Sequence, residues 1–196
     1  SQAQVFRHNG RQQIRECGVE NLRGFSRTTG PTDESHLWDF VHFFGAENCW
    51  AIDSTAVAFA DSGFRFTRSR RSTVLNCSVL DPVSQITGGR RYNFYVSGDC
   101  HDLLFTGCVA RNGRHCFVSN GAANVNGIVF TQSESISAHS TSENHRRWGS
   151  AMLWDNITWT NPNAGTVLGF YNRGEAGTSH GWTGTGLVGW NIQAPD

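Results

Sequence analysis

The densest group of titratable side chains is the run His139-Ser140-Thr141-Ser142-Glu143-Asn144-His145-Arg146-Arg147-Trp148, which has no apolar residue between Ala138 and Trp148. A second polar stretch follows at Tyr171-Asn172-Arg173-Gly174-Glu175-Ala176-Gly177-Thr178-Ser179-His180-Gly181-Trp182. Two basic segments precede both, Gly89-Arg90-Arg91-Tyr92 and Arg111-Asn112-Gly113-Arg114-His115. These residue types suit an extended anionic sugar chain. Arginine grips carboxylates through two parallel hydrogen bonds. Tryptophan and tyrosine offer faces for sugar rings, and histidine accepts protons near neutral pH. The sequence therefore nominates Glu143, His145, Arg146, Arg173 and His180 for chemistry. It nominates Arg91, Arg114, His115, His139, Arg147, Trp148, Asn172, Glu175 and Trp182 for substrate binding.

Two reactions fit these groups. In β-elimination a base removes the proton α to a uronate carboxylate while a cation holds the developing charge. His145 or His180 is the candidate base, and Arg146 or Arg173 the carboxylate clamp. In glycoside hydrolysis two carboxyl groups flank the bond, and Glu143 with Glu175 is the best available pair. The wealth of His and Arg over acids favours elimination. No cofactor is needed, although His139, Glu143 and His145, at i, i+4 and i+6, offer a set of ligands for a divalent cation. No lysine occurs, which removes lysine bases and Schiff bases.

The composition narrows the class. Sixteen arginines balance sixteen acids over 196 residues, which argues against a basic nucleic-acid binder. The middle is locally basic, with eight Arg against three acids in residues 62–115. No apolar run has the length of a membrane span. None of the six cysteines forms a CxxC pair, so a structural zinc site is not expected.

The elements that must position these groups are short strands. Runs of Val, Ile, Phe, Trp and Thr alternate with Gly, Asn, Asp and Ser. An apolar-x-x-polar frame recurs at Ile14–Cys17, Trp50–Asp53, Val74–Cys77, Phe105–Cys108, Phe130–Ser133, Leu153–Asn156 and Val188–Asn191. Its steps are 36, 24, 31, 25, 23 and 35 residues. A second motif appears at Asn93–Gly98, Cys116–Gly121 and Gly169–Gly174, with an aromatic followed by apolar or polar residues and Gly. This period predicts one all-β domain over 1–196, a right-handed parallel β-helix of about seven coils. An antiparallel sandwich of jelly-roll type is the alternative fold. The frames predict their first residues in the core, in register, and a bend column holding Cys17, Cys77, Cys108, Ser133, Asn156 and Asn191. Buried free thiols are expected at Cys77 and Cys108, with a disulfide as the alternative.

The repeat resembles the pectin-lyase-like β-helix superfamily of polysaccharide lyases and glycosidases, over roughly Ile14 to Gln193. Ser179-His180-Gly181-Trp182 is similar to the Gly-His-Gly element of polygalacturonases. That family's Asn-Thr-Asp, Asp-Asp and Arg-x-Lys elements are missing. The resemblance implies an extracellular protein acting on an acidic polysaccharide, with neither nucleic acid nor membrane as partner. A non-catalytic polysaccharide-binding or structural module is the other class. The chain begins at Ser1 without a signal-peptide pattern, which reads as a processed chain or part of a larger protein. No capping helix follows Asn191, so a partner chain or domain is expected over an open end of the stack.

Overall fold

The computed structural model describes residues 13–121, 124–163 and 167–195. The described residues are all-β: one sheet of thirteen strands and one of six, with a single four-residue helical turn among them at Ala176–Ser179. Every ladder between strands is parallel. Among the described residues the one antiparallel bridge joins Asn172 to Trp182. Parallel pairing throughout is consistent with a parallel β-helix and argues against the antiparallel sandwich, whose strand hairpins are absent among the described residues.

The registers run as unbroken columns. Val19, Ala51, Val74, Phe105, Phe130, Trp154 and Gly189 follow one another across neighbouring strands. The Phe105 and Phe130 rings stack at 4.8 Å, and Phe130 and Trp154 at 5.6 Å. A second column, Phe64, Phe94 and Phe117, stacks at 5.8 and 5.3 Å. It meets the first where Phe117 lies 5.6 Å from Phe130. Burying each ring contributes roughly 1.5–3 kcal/mol, with about 0.5–1.5 kcal/mol more per aromatic pair.

The predicted frames are only partly in register. Val74, Phe105 and Phe130 hold the core column. At Trp50 and Leu153 the following residue, Ala51 or Trp154, takes the core position instead. Val188 and Ile14 are exposed. Both misread frames have two apolar residues in succession, and with a side-chain period of two a one-residue shift turns the strand over.

The bends follow the same logic. Behind the column Glu20, Ile52, Leu75, Thr106, Thr131, Asp155 and Trp190 come Asn21, Asp53, Asn76, Gly107, Gln132, Asn156 and Asn191. All of these have φ between 48° and 65°. Left-handed backbone is costly for most residues, and Asn, Asp and Gly tolerate it best. The Asn191 side-chain amide also donates to Asn156 Oδ1 at 3.2 Å. Cys77, Cys108 and Ser133 lie one position further on, with Ser54. The predicted single bend column is therefore two adjacent columns, and Cys17 belongs to neither. Cys77 and Cys108 are neighbours and both are free thiols, buried.

The six-stranded sheet carries the site. Its strands stack in sequence order: Asp39–Phe44, Ser62–Thr67, Tyr92–Val96, His115–Ser119, Ser142–Asn144 and Leu168–Gly169. One face displays the column His42, Arg65, Tyr95, Val118, Glu143 and Gly169. The second sequence motif is in register at its first two members, Phe94 with Phe117. The third is displaced by two residues, since Gly169 and not Tyr171 aligns with Val118 through Glu143.

Candidate active site

The polar run 139–148 contains a buried strand. Ser142 and Asn144 project to one side, where Ser142 Oγ accepts from Phe117 N at 3.3 Å and the Asn144 amide donates to Thr183 O. Glu143 and His145, two apart, project to the other side. There Glu143, fully buried, accepts from Thr141 Oγ1 at 2.7 Å, Tyr171 OH at 2.9 Å and Arg173 Nη1 at 2.9 Å. The His145 Nδ1–H donates to its Oε1. A buried charge survives when its lone pairs are filled in this way.

That carboxylate sets the tautomer of His145. With the hydrogen on Nδ1, the lone pair sits on Nε2; Arg173 Nη1 lies against the ring, 2.5 Å from Nδ1 and 3.0 Å from Nε2. His115 Nδ1 donates to Thr141 O at 2.5 Å, leaving its buried Nε2 without a partner. The ring of His145 lies 4.9 Å from that of His115 and 5.0 Å from that of His180. His180 Nδ1 accepts from Thr178 N at 3.3 Å. Gly177, at φ 62°, lies so close to the His180 ring that a Cβ would strike it.

Burial is the first influence on the titration of each of these groups, and it opposes their charged forms. It depresses His115 to about 3, with Arg114 and His145 assisting against Glu143. It depresses His180 to about 4, helped by His145, Arg173, Arg146 and Arg147. His145 is also lowered by burial and by Arg173, against the pull of Glu143. For Glu143 burial acts upward, but the hydrogen bond from His145 and the nearby histidines outweigh it and leave the carboxyl at about 2. At neutral pH the cluster is thus three neutral imidazoles around one Glu–Arg ion pair.

The structure brings together Glu143, His145, Arg173, His180 and His115 from distant parts of the chain. Arg114 borders them, its guanidinium donating to Tyr92 OH at 2.8 Å. Arg146 and Arg147 instead hold the covering segment 172–182, through Thr178 Oγ1 at 3.1 Å and Thr178 O at 2.7 Å. Trp148 and Trp182 are exposed near the same segment. Asn172 is exposed and caps Gly174 N at 2.9 Å. Glu175 is exposed and accepts from Ser179 Oγ at 2.9 Å.

Two expectations need correction. Arg91 does not line the face: it is buried, and its guanidinium donates twice to Ser84 O, at 3.1 and 2.8 Å, fastening the loop before Tyr92. His139 does not join Glu143 and His145; it contacts Asn163 Nδ2 at 3.2 Å. Its place is taken by His115, which with Glu143 and His145 forms a grouping able to hold a metal ion. The fit to a cation is poor, because Glu143 already accepts four donors and Arg173 supplies the positive charge beside it.

Sequence reasoning missed Thr141, Tyr171, Tyr92, Tyr95 and Arg65. Tyr92 stacks on His115 at 5.5 Å, and the Arg65 guanidinium lies 4.8 Å over the Tyr95 ring. The aromatic motif at Asn93–Gly98 was the available signal for Tyr95. Elsewhere, a depression of about 540 Å³ at the bend is lined by Gly107–Val109, Gln132–Glu134, Asn156 and Thr158. Its only carboxylate, Glu134, is held by Thr160 Oγ1 at 3.0 Å. Comparison with protein-family models, curated proteins and solved structures finds no match to this chain.

Proposed function

We propose that the chain is a right-handed parallel β-helix of about seven coils, extracellular and pectin-lyase-like, that cleaves an acidic polysaccharide by β-elimination. The observation that carries this reading is the buried Glu143–His145–Arg173 arrangement. Glu143 fixes the His145 tautomer so that Nε2 is the basic atom. Arg173, which lies against the same ring, is the group a uronate carboxylate would attract. As the guanidinium turns to the substrate carboxylate it uncovers Nε2 and draws charge from the acidic α carbon. His145 Nε2 then takes the C5 proton. The C5–H electron pair becomes the C4–C5 double bond, the C4–O bond breaks with its own pair, and water protonates the leaving oxygen. His180 and His115 pack against the His145 ring as neutral groups. The segment 172–182 covers the site, so substrate entry requires its displacement.

A non-catalytic binding module is the second reading, favoured by the near-complete burial of Glu143 and His145. The hydrolase reading has less support, since Glu143 is saturated with donors and Glu175 is exposed. One experiment separates the three. The protein is incubated with galacturonan, alginate, hyaluronan and chondroitin and read by the ultraviolet absorbance of the unsaturated product and by reducing ends. Absorbance with reducing ends reports elimination, reducing ends alone report hydrolysis, and binding without product reports the module.

A further inference from the structure

The six cysteines take no part in the elimination chemistry, and their settings differ. Cys77, Cys100, Cys108 and Cys116 are fully buried, and burial pushes their thiols up to about 11 or about 12. Cys17 alone of the six is exposed, and Cys49 is buried beside it. Trp50 N donates to Cys17 O at 3.2 Å, and Gly18 pairs with Trp50, so the two cysteines face each other across neighbouring parallel strands. Such strands stand about 4.8 Å apart, inside the Cα separation of about 4.4–6.8 Å that a disulfide spans. The two sulfurs already touch, at 3.7 Å. Cys77 and Cys108 stand in the same relation, with Val109 N donating to Cys77 O at 2.9 Å, but neither is open to a reagent. The seam beside Cys17 is an edge of the stack. Among the described residues, Ile14–Arg15, Gly18–Glu20 and Arg23–Phe25 pair on one side only, and Ile14, Leu22 and Phe25 are exposed. Strands held on one side open more readily than strands held on two.

We propose that Cys17 and Cys49 are a thiol–disulfide exchange site, at which a small disulfide such as oxidised glutathione closes a covalent staple across this seam. The Cys17 thiolate attacks one sulfur of the oxidant and breaks its S–S bond; the first glutathione leaves as thiolate and takes up the proton Cys17 released. Cys49, as thiolate, then attacks the Cys17 sulfur of the mixed disulfide and expels the second glutathione, which takes up the Cys49 proton. The two cysteines are oxidised by two electrons, and the oxidant is reduced to two thiols. Cys49 needs no path to solvent, because its partner in the second step is the Cys17 sulfur it already touches. The hydrogen bond with Cys49 holds the Cys17 thiol above its ordinary pKa, so the first step is slow near neutral pH. The staple joins residues 32 apart in sequence, which restricts the unfolded chain and ties down the edge strands. This site is independent of the polysaccharide reading.

The test incubates the reduced full chain with oxidised glutathione at mildly alkaline pH, then denatures and alkylates it for intact mass and peptide mapping. Two of the six thiols should resist alkylation, and one peptide pair should join Cys17 to Cys49. Cys49→Ser should instead retain one glutathione on Cys17, and Cys17→Ser should keep all its thiols free. Oxidised wild type should melt roughly 4–16 °C above the reduced form, and dithiothreitol should reverse the gain. Wild type that keeps glutathione on Cys17, that links other cysteines or that leaves all six thiols free overturns the exchange site. A Cys17–Cys49 link that leaves the melting temperature unchanged overturns the staple.

Discussion

Replacing Glu143 by Gln probes the cluster most sharply, because it preserves shape and removes charge. The carboxylate is fully buried and accepts from Thr141, Tyr171, Arg173 and His145. Gln keeps one acceptor oxygen but turns the other into a donor, facing groups that themselves donate. The hydroxyls of Thr141 and Tyr171 can rotate to accept; Arg173 cannot, and loses its counter-charge. Breaking a buried pair by removing one partner costs about 3–5 kcal/mol. The Arg173 side chain is 18 % exposed and can turn partly toward water, which favours the lower end. For a domain of this size each kcal/mol shifts the melting temperature by roughly 2–4 °C, giving a fall of about 6–20 °C. Urea and thermal unfolding of the variant measure it. Glu175→Gln is the control, with a change below about 0.5 kcal/mol expected at its exposed position. If Glu143→Gln unfolds within that same margin, Glu143 is not held as a charged buried group and the tautomer argument for His145 fails.

Stability should also fall with acid earlier than carboxylates alone require. His115 titrates near 6.5 when unfolded and at about 3 when folded. Below pH 6.5 the unfolded state binds the extra proton, so stability is lost as pH drops from 6.5 toward 3, by up to about 5 kcal/mol. A urea midpoint that stays level between pH 7 and pH 4.5 would contradict a neutral buried His115. Phe105→Ala should cost about 3–5 kcal/mol, since it empties the centre of the aromatic column; a cost below 1 kcal/mol would deny that the column is the core. Gly107→Ala should destabilise by at least about 1 kcal/mol, because φ is 65° and the new Cβ would meet Asn76 Oδ1. Asn156→Gly, in the same column, should fall within a few tenths of a kcal/mol of wild type. Equal effects in the two variants would refute the left-handed bend.

Much of the fold was legible because it repeats. Val74, Phe105 and Phe130 could be placed in one column from their spacing, and the bend asparagines betray their left-handed backbone. Register at Trp50 and Leu153 was not legible, since adjacent apolar residues leave the face undecided until neighbouring strands fix it. The polar run at 139–148 was recognised as chemically dense, and its lack of apolar residues argued against an ordinary core strand. Its middle is nevertheless a buried strand: Ser142 and Asn144 satisfy backbone groups on one side, and Glu143 and His145 find partners on the other. Those partners, Tyr171 and Arg173, lie 28 and 30 residues away from Glu143 in sequence. Arg65 carries no local signal at all, and only the stacking of strands brings it onto the face that holds Glu143.

The central claim is that His145 is the base of an elimination reaction on uronate chains. Its most direct test is the initial rate of ultraviolet absorbance gain on the uronate panel, for wild type and for His145→Ala, across pH 5 to 9. The account predicts a rate that climbs as the base becomes neutral, and a loss of about 10²–10⁴-fold in the variant with its melting transition still cooperative. Wild-type absorbance gain that persists undiminished in His145→Ala, or reducing ends released with no absorbance, would contradict it.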